Sequence, residues 1–124
     1  GAPSYFVAKQ HSLSGNPTYL YQFDKKPNIP NDYLGATHAL ELGYLFNKGG
    51  LFGIEGSYDE SDITLAQQMR ADWIHFARKG FLPNAKPFNH EESVARIYDE
   101  VISDQIIEHH SFYKSYSFFW ENLQ

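Results

Sequence analysis

The sequence feature that most constrains the fold is the compact run Tyr-Leu-Tyr-Gln-Phe at residues 19–23. Pro17 precedes it and the turn-forming residues 24–27 follow it, so the run is bounded on both sides. Its near-continuous apolarity is typical of a strand buried on both faces, as in a parallel sheet covered by helices. We find no parallel neighbour for such a strand in this chain, which predicts that the rest of its sheet lies elsewhere.

Helical patterns flank this strand. Residues 4–13 have a short helix-like pattern, and residues 58–79 give the clearest helix signal. Ser57 and Glu60 have the spacing of a capping box, and Gly80 suits a left-handed helix end. One buried face of the long helix is predicted from three- and four-residue spacing: Ile63, Ala66, Met69, Trp73 and Phe76.

The remaining segments complete an α/β pattern. Residues 25–35 and 47–56 are predicted as loops because they are rich in Pro, Asn and Gly, and the apolar segment 36–46 lies between them. Residues 94–98 alternate like a half-buried strand, and residues 103–123 are predicted to form a second amphipathic helix. No repeat or linker divides the chain, so residues 1–124 are interpreted as a single unit, with residues 1–2 as a possible expression scar.

Composition excludes several classes of function. The chain has 124 residues, 42% of them hydrophobic and 17% aromatic, which is too apolar for a disordered segment. A formal net charge of −5 without a basic cluster gives no support for nucleic-acid binding. No apolar run approaches the ~20 residues that span a bilayer. The sequence contains no Cys, which excludes disulfides and thiolate zinc sites and is compatible with the cytoplasmic location that we expect.

Neither a metal nor a cofactor is predicted. His109 and His110 are adjacent, and neighbours on a helix do not converge on one ion. The glycine-rich residues 49–56 have neither the Gly-x-Gly-x-x-Gly spacing nor a following Gly-Lys-Ser/Thr, so they do not form a phosphate-binding loop.

His38 is the candidate catalytic residue. No Gly-x-Ser-x-Gly elbow occurs in the sequence, so no Ser is an obvious nucleophile. Local chemistry alone favours a partly buried, hydrogen-bonded structural imidazole at position 38. However, a buried strand followed by a long loop that carries a His fits the last step of the α/β-hydrolase chain order, in which the nucleophile comes first, then the acid and then the His.

The residues around His38 resemble the C-terminal region of type B carboxylesterases, the family of cholinesterases and bacterial para-nitrobenzyl esterases. The resemblance covers nearly the whole chain in the right order, and this order is more specific than any single motif. One departure is Phe81-Leu82, where the family has a single residue between Gly and Pro. The matching segments are Tyr19-Leu20-Tyr21-Gln22-Phe23-Asp24, Gly35-Ala36-Thr37-His38-Ala39-Leu40-Glu41-Leu42, Tyr44-Leu45-Phe46, Met69, Trp73, Phe76-Ala77, Gly80, Pro83-Asn84, Arg96-Ile97-Tyr98-Asp99 and Phe119-Trp120.

The resemblance implies a fold and a role. It implies the C-terminal portion of an α/β-hydrolase fold, with His38 as the catalytic base of a Ser–His–acid triad. The Ser, the acid and the oxyanion-hole glycines would lie in an upstream part that is absent from this chain. Glu41 is then a structural hydrogen-bonding residue and not the acid. Large aromatic side chains are predicted to pack in the core: Tyr21, Phe46, Trp73 and Trp120.

Two further readings stay open from the sequence. One is a non-catalytic relative that keeps the fold and binds partners through its surface, and the other is an inert truncated product. For the esterase reading, the expected partners are a small-molecule ester and the missing N-terminal part of the hydrolase. We also expect the chain alone to self-associate through exposed aromatic surface and an unpaired strand.

Overall fold

The structure is a computed structural model, described here for residues 2–26, 35–36, 38–46 and 58–107. The described residues form three helices and three strands. In order, they are α1 (Ala2–Leu13), β1 (Leu20–Phe23), α2 (Glu41–Leu45), α3 (Glu60–Lys79), β2 (Val94–Tyr98) and β3 (Ser103–Ile106). The α/β class predicted from the sequence is confirmed for this part of the chain.

The three strands form one sheet in the order β1-β2-β3. Backbone amides of Asp24 and Lys25, just after β1, donate to the carbonyl of Tyr98 at the end of β2, so β1 and β2 run in the same direction. The amide of Ile107, just after β3, donates to the carbonyl of Ser93, just before β2, so these two strands are antiparallel. The prediction that β1 lacks a parallel neighbour in this chain is therefore wrong.

Burial of the strands differs from the sequence prediction. Every residue of β2 is buried, although the alternation of residues 94–98 predicted a half-buried strand. In β1 no residue is fully buried and Tyr21 is exposed, so the strand predicted to be buried on both faces is only partly covered. Apolar composition indicates that a strand can be buried, but the elements packed on each face decide whether it is.

Residues 103–106 form β3 and not the start of the helix predicted for residues 103–123. Ser103 and Gln105 alternate with Asp104 and Ile106, and pairing with β2 satisfies the backbone of this polar segment. Residues 108–123 of the predicted helix lie outside the described residues, as do the greater part of the predicted loop 25–35 and the predicted loop 47–56. The helix prediction is therefore wrong for residues 103–106.

α3 begins two residues later than its capping prediction placed it. Asp59 is the N-cap, its carboxylate accepts from the amide of Asp62 at 3.0 Å, and the carboxylate of Asp62 accepts from the amide of Asp59 at 2.9 Å. The observed capping box is therefore Asp59 and Asp62, and Ser57 of the predicted pair lies outside the described residues. At the other end Gly80 is left-handed with φ 77°, as predicted.

The buried face of α3 is rotated from the predicted one. Ala66 and Met69 are buried as expected, and Trp73 packs against the core. Ile63 and Phe76 are exposed, which contradicts the prediction. The buried positions are instead Asp62, Leu65, Ala66 and Met69, so the buried face includes a carboxylate that an apolar periodicity cannot detect.

Two compact units divide the chain, and the prediction of one unit over residues 1–124 stays a prediction. The first unit comprises residues 1–22, 82–96 and 103–124. Within it, the Tyr5 ring packs edge-on against Phe88 at 5.7 Å and its hydroxyl bonds to that of Ser93 at 2.9 Å. Arg96 is buried and donates to the carbonyl of Asn84 at 2.8 Å.

The second unit comprises residues 23–81 and 97–102 and contains the core that bears on function. Its buried residues are Tyr44, Leu65, Ala66, Met69 and Tyr98. Aromatic and aliphatic side chains that are partly buried pack around them: Phe23, Leu45, Tyr58, Trp73 and Ile102. This core joins α2 to α3, and α2 directly follows the turn that carries His38.

Candidate catalytic histidine

His38 lies in a turn that leads directly into α2, and its side chain is exposed. Ala39 has a positive φ of 70°, which is unusual for a residue with a Cβ and costs about 1–2 kcal/mol. Its carbonyl accepts from the amide of Leu42, and the carbonyl of Leu40 accepts from Gly43, each at 3.2 Å. Leu40 is buried. The backbone next to His38 is thus tied to α2, while the imidazole extends from it.

Exposure of His38 contradicts the interpretation from local chemistry of a partly buried structural imidazole. An exposed imidazole contributes little to the stability of the core. It is accessible to a group from outside the chain. Such a position is compatible with a base that works on a nucleophile supplied by another segment.

α2 is too short to hold the turn without tertiary contacts. It has five residues, with Gly43 at its centre, and helices of that length are not stable alone. Tyr44 fixes it: the side chain is 2% exposed, and its hydroxyl donates to Asp62 Oδ1 at 2.7 Å. The Tyr44 ring also packs against Phe23 at 4.9 Å and Tyr58 at 4.8 Å.

The C-terminal end of α2 is held as well. The backbone carbonyl of Tyr44 accepts from the Arg70 guanidinium at 2.7 Å. A carbonyl in the last turn of a helix has no partner within the helix, so the cation satisfies it. The side-chain hydroxyl and the backbone carbonyl of Tyr44 are therefore both hydrogen-bonded to α3.

Asp62 is the centre of a buried polar cluster that the sequence did not reveal. It is 1% exposed and accepts from the Tyr44 hydroxyl and from the backbone amide of Asp59. Lys25 Nζ lies 3.8 Å from Asp62 Oδ1 and donates to Glu100 at 3.1 Å and to Ser61 at 3.0 Å. An Asp–x–x–Asp pattern at residues 59–62 was the one available signal for this capping carboxylate, whereas no sequence spacing points to Lys25.

The charges in this cluster set its protonation. Burial acts to lower the pKa of Lys25, but its hydrogen bond to Glu100 and the negative charges of Asp62 and Glu100 together raise the pKa above its ordinary value. Burial, followed by the hydrogen bond to Asp62, raises the pKa of Tyr44 far above its ordinary value. Lys25 therefore stays an ammonium and Tyr44 stays a hydroxyl donor at neutral pH.

Ser61 and Lys25 have the separation of a Ser–Lys catalytic pair, but their chemistry does not fit one. In such a pair the amine must be neutral to take the Ser proton. The raised pKa of Lys25 keeps it protonated, and the Ser61 hydroxyl donates to Asp59 at 2.6 Å instead. Lys25 therefore does not activate Ser61 as a nucleophile.

The other predicted residues have different positions. Glu41 is the first residue of α2, and its predicted hydrogen-bonding role stays a prediction. Trp73 is partly buried and packs against Tyr98 at 5.6 Å, as expected for a core aromatic. Tyr21 and Phe46 are exposed, so their predicted core packing is wrong for this chain, and Trp120 lies outside the described residues.

Residues 2–26, 35–36, 38–46 and 58–107 contain no group of His, Asp and Glu side chains arranged to hold a metal ion. None of the helices in the same ranges combines the length and apolarity needed to cross a membrane.

Comparison with known proteins places this strand, turn and helix arrangement in a family. The model of the carboxylesterase family matches residues 1–111. The chain belongs to the carboxylesterase family. It is 31% identical over 103 residues to a liver carboxylesterase of Sus scrofa, covering 78% of this chain and 18% of that protein. It is 32% identical over 88 residues to a medium-chain fatty acyl-CoA hydrolase precursor of Anas platyrhynchos, covering 68% and 15%.

Solved carboxylesterase structures agree with this assignment. A PNB esterase is similar with a TM-score of 0.67 at 27% identity, over 81% of this chain and 21% of that one. The fold is also similar to that of a carboxylesterase of Geobacillus stearothermophilus, with a TM-score of 0.67 over 88% of this chain and 23% of that one. The family resemblance predicted from the sequence is confirmed. The chain spans less than a quarter of the length of these relatives.

Proposed function

We propose that this chain supplies the histidine base of a serine carboxylesterase, with His38 as that base. The observation that carries the proposal is an exposed imidazole on a turn tied to an anchored helix, in a chain of the carboxylesterase family. The rest of the catalytic domain would supply the Ser, the acid and the oxyanion hole. The substrate class is a carboxylic ester.

In the proposed reaction His38 accepts the proton of the Ser hydroxyl as its oxygen attacks the ester carbonyl. His38 then donates that proton to the departing alcohol, which leaves an acyl-enzyme. In the second half His38 takes a proton from water, whose oxygen attacks the acyl group, and returns the proton to Ser as the acid product leaves. The acid partner would orient the imidazole and stabilise its charged form.

The test is a complete carboxylesterase domain that contains this chain, compared with two variants. We expect His38→Ala to lower kcat by at least about 10³-fold, because a triad without its base loses most of its catalysis. His90→Ala is the matched control, since His90 is also exposed and lies outside the helices and strands, and this variant should leave kcat unchanged. Full activity of His38→Ala would refute the proposed function.

The isolated chain gives a second test. We expect no hydrolysis of short-chain nitrophenyl esters by the 124 residues alone, because Ser61 is not activated and the sequence has no nucleophile elbow. Hydrolysis that disappears specifically in His38→Ala of the isolated chain would contradict this.

Self-association of the isolated chain is part of the same proposal. Phe46 is 69% exposed, and Ile63 and Ile74 are each 51% exposed. Several large apolar side chains exposed together favour association between copies of the chain or burial against another segment. The missing part of the hydrolase would cover them in the complete domain. A strictly monomeric species in light scattering would contradict the self-association.

A further inference from the structure

We propose that Tyr44 and Asp62 are positioning residues that set the orientation of the His38 turn through α2. This inference rests on the proposed function of His38. Neither residue is placed in contact with a substrate or with the reacting atoms. Their role is to decide where the short helix after His38 lies relative to α3.

On its own, α2 is too short to keep a fixed direction. Its five residues form few backbone hydrogen bonds, and Gly43 weakens it further. The carbonyls of Ala39 and Leu40 accept from amides in this helix. Any rotation or tilt of α2 is therefore transmitted directly to the turn that carries His38.

Tyr44 gives α2 two polar attachments to α3. The hydroxyl donates to Asp62 Oδ1 at 2.7 Å, and the backbone carbonyl accepts from Arg70 at 2.7 Å. Two bonds at separated points fix a direction, which a single bond or apolar packing alone does not. Tyr44 and Asp62 are both buried, so water cannot replace the bond between them.

Asp62 is itself held in place. The backbone amide of Asp59 donates to its Oδ2 at 2.9 Å, and Lys25 lies 3.8 Å from its Oδ1. The carboxylate is thus fixed to the start of α3 and cannot follow a movement of Tyr44. Small displacements of a catalytic base are costly, because a misplacement of about 1 Å can cost about 100-fold in rate.

The experiment compares two hydroxyl deletions in a complete carboxylesterase domain that contains this chain. Tyr44→Phe removes the bond to Asp62 and keeps the ring. Tyr98→Phe is the matched control: its hydroxyl donates to Asp72 on the same helix at 2.6 Å and does not contact α2 through that bond. We expect Tyr44→Phe to lower kcat about 10- to 100-fold with KM changed less than about twofold, and Tyr98→Phe to leave both near the original values.

A second measurement separates a positioning role from a general loss of stability. Hydrogen exchange of the amides of Leu42, Gly43 and Phe46 should become faster in Tyr44→Phe and stay unchanged in Tyr98→Phe. Should Tyr44→Phe fail to fold, Asp62→Asn keeps the size of the side chain and an acceptor oxygen, and the same kcat and exchange comparison applies. The Asn amide offers one oxygen to the two donors that Asp62 accepts, the Tyr44 hydroxyl and the Asp59 amide, so one of these bonds is lost and kcat should fall by up to about 10-fold. An unchanged kcat in a folded Asp62→Asn would overturn the positioning role.

The outcomes are distinguishable. Activity that survives His38→Ala overturns the proposed function and the positioning role together. Loss of activity in His38→Ala with an unchanged kcat in Tyr44→Phe overturns the positioning role alone. Equal kcat losses in Tyr44→Phe and Tyr98→Phe also overturn it, because they indicate a general effect on stability.

Discussion

Replacement of Asp62 by Ala tests the buried cluster directly. Asp62 is 1% exposed, accepts the Tyr44 hydroxyl and accepts from the backbone amide of the N-cap residue Asp59. Loss of the hydrogen bond from the Asp59 amide costs about 0.5–1.5 kcal/mol, and a buried hydroxyl left without its acceptor costs about 1–3 kcal/mol. Lys25 keeps Glu100 and Ser61 as partners in this variant, so we include no further cost in free energy for Lys25. The free energy of unfolding of the second unit should fall by about 2–4 kcal/mol.

Urea unfolding of the 124-residue chain measures this change. The chain has two Trp residues, so a Trp120→Phe background leaves Trp73, which lies in the second unit, as the fluorescent reporter. Glu60→Ala is the matched control because it removes an acidic side chain from the same first turn of α3 at an exposed position. Its cost should stay below about 1 kcal/mol. Equal losses for Asp62→Ala and Glu60→Ala would refute the reasoning.

Two further predictions follow from pKa and backbone geometry. The raised pKa of Tyr44 means that the folded state keeps its proton where the unfolded chain loses it, so stability falls as pH rises above about 10, by up to about 1.4 kcal/mol per pH unit for this group. Tyr44→Phe should reduce that slope in urea titrations between pH 9 and 11, and an unchanged slope would contradict the pKa shift. Gly80→Ala should cost about 1 kcal/mol, because φ is 77° and no atom lies within 4 Å of the added Cβ, so backbone strain is the only cost. A thermal melt that is unchanged by this substitution would contradict the left-handed conformation.

Several parts of the fold could be predicted because they depend on local rules. The pattern of residues 4–13 predicted α1, the run at 19–23 predicted β1, and Gly80 predicted the end of α3. Helix periodicity, β-favouring residues and the conformational freedom of Gly act within a few positions of the chain. The family assignment also needed only the order of motifs along the sequence.

The burial of individual side chains could not be predicted in the same way. Periodicity placed Ile63 and Phe76 on the buried face of α3, but both are exposed, and the carboxylate of Asp62 is buried instead. An apolar pattern ignores hydrogen bonds from distant segments. Tyr44, eighteen positions before Asp62, supplies one such bond and makes burial of the charge tolerable.

The sequence by itself determined the α/β class, the membership of the carboxylesterase family and the choice of His38 as the candidate base. The tertiary structure alone decided that β1 pairs in parallel with β2, that residues 103–106 form a strand, and that His38 is exposed on a turn next to an anchored helix. The physical reason is the range of the interactions. Propensities and motifs act locally, whereas strand pairing and buried polar bonds join residues that are far apart in the chain, so no local pattern specifies them.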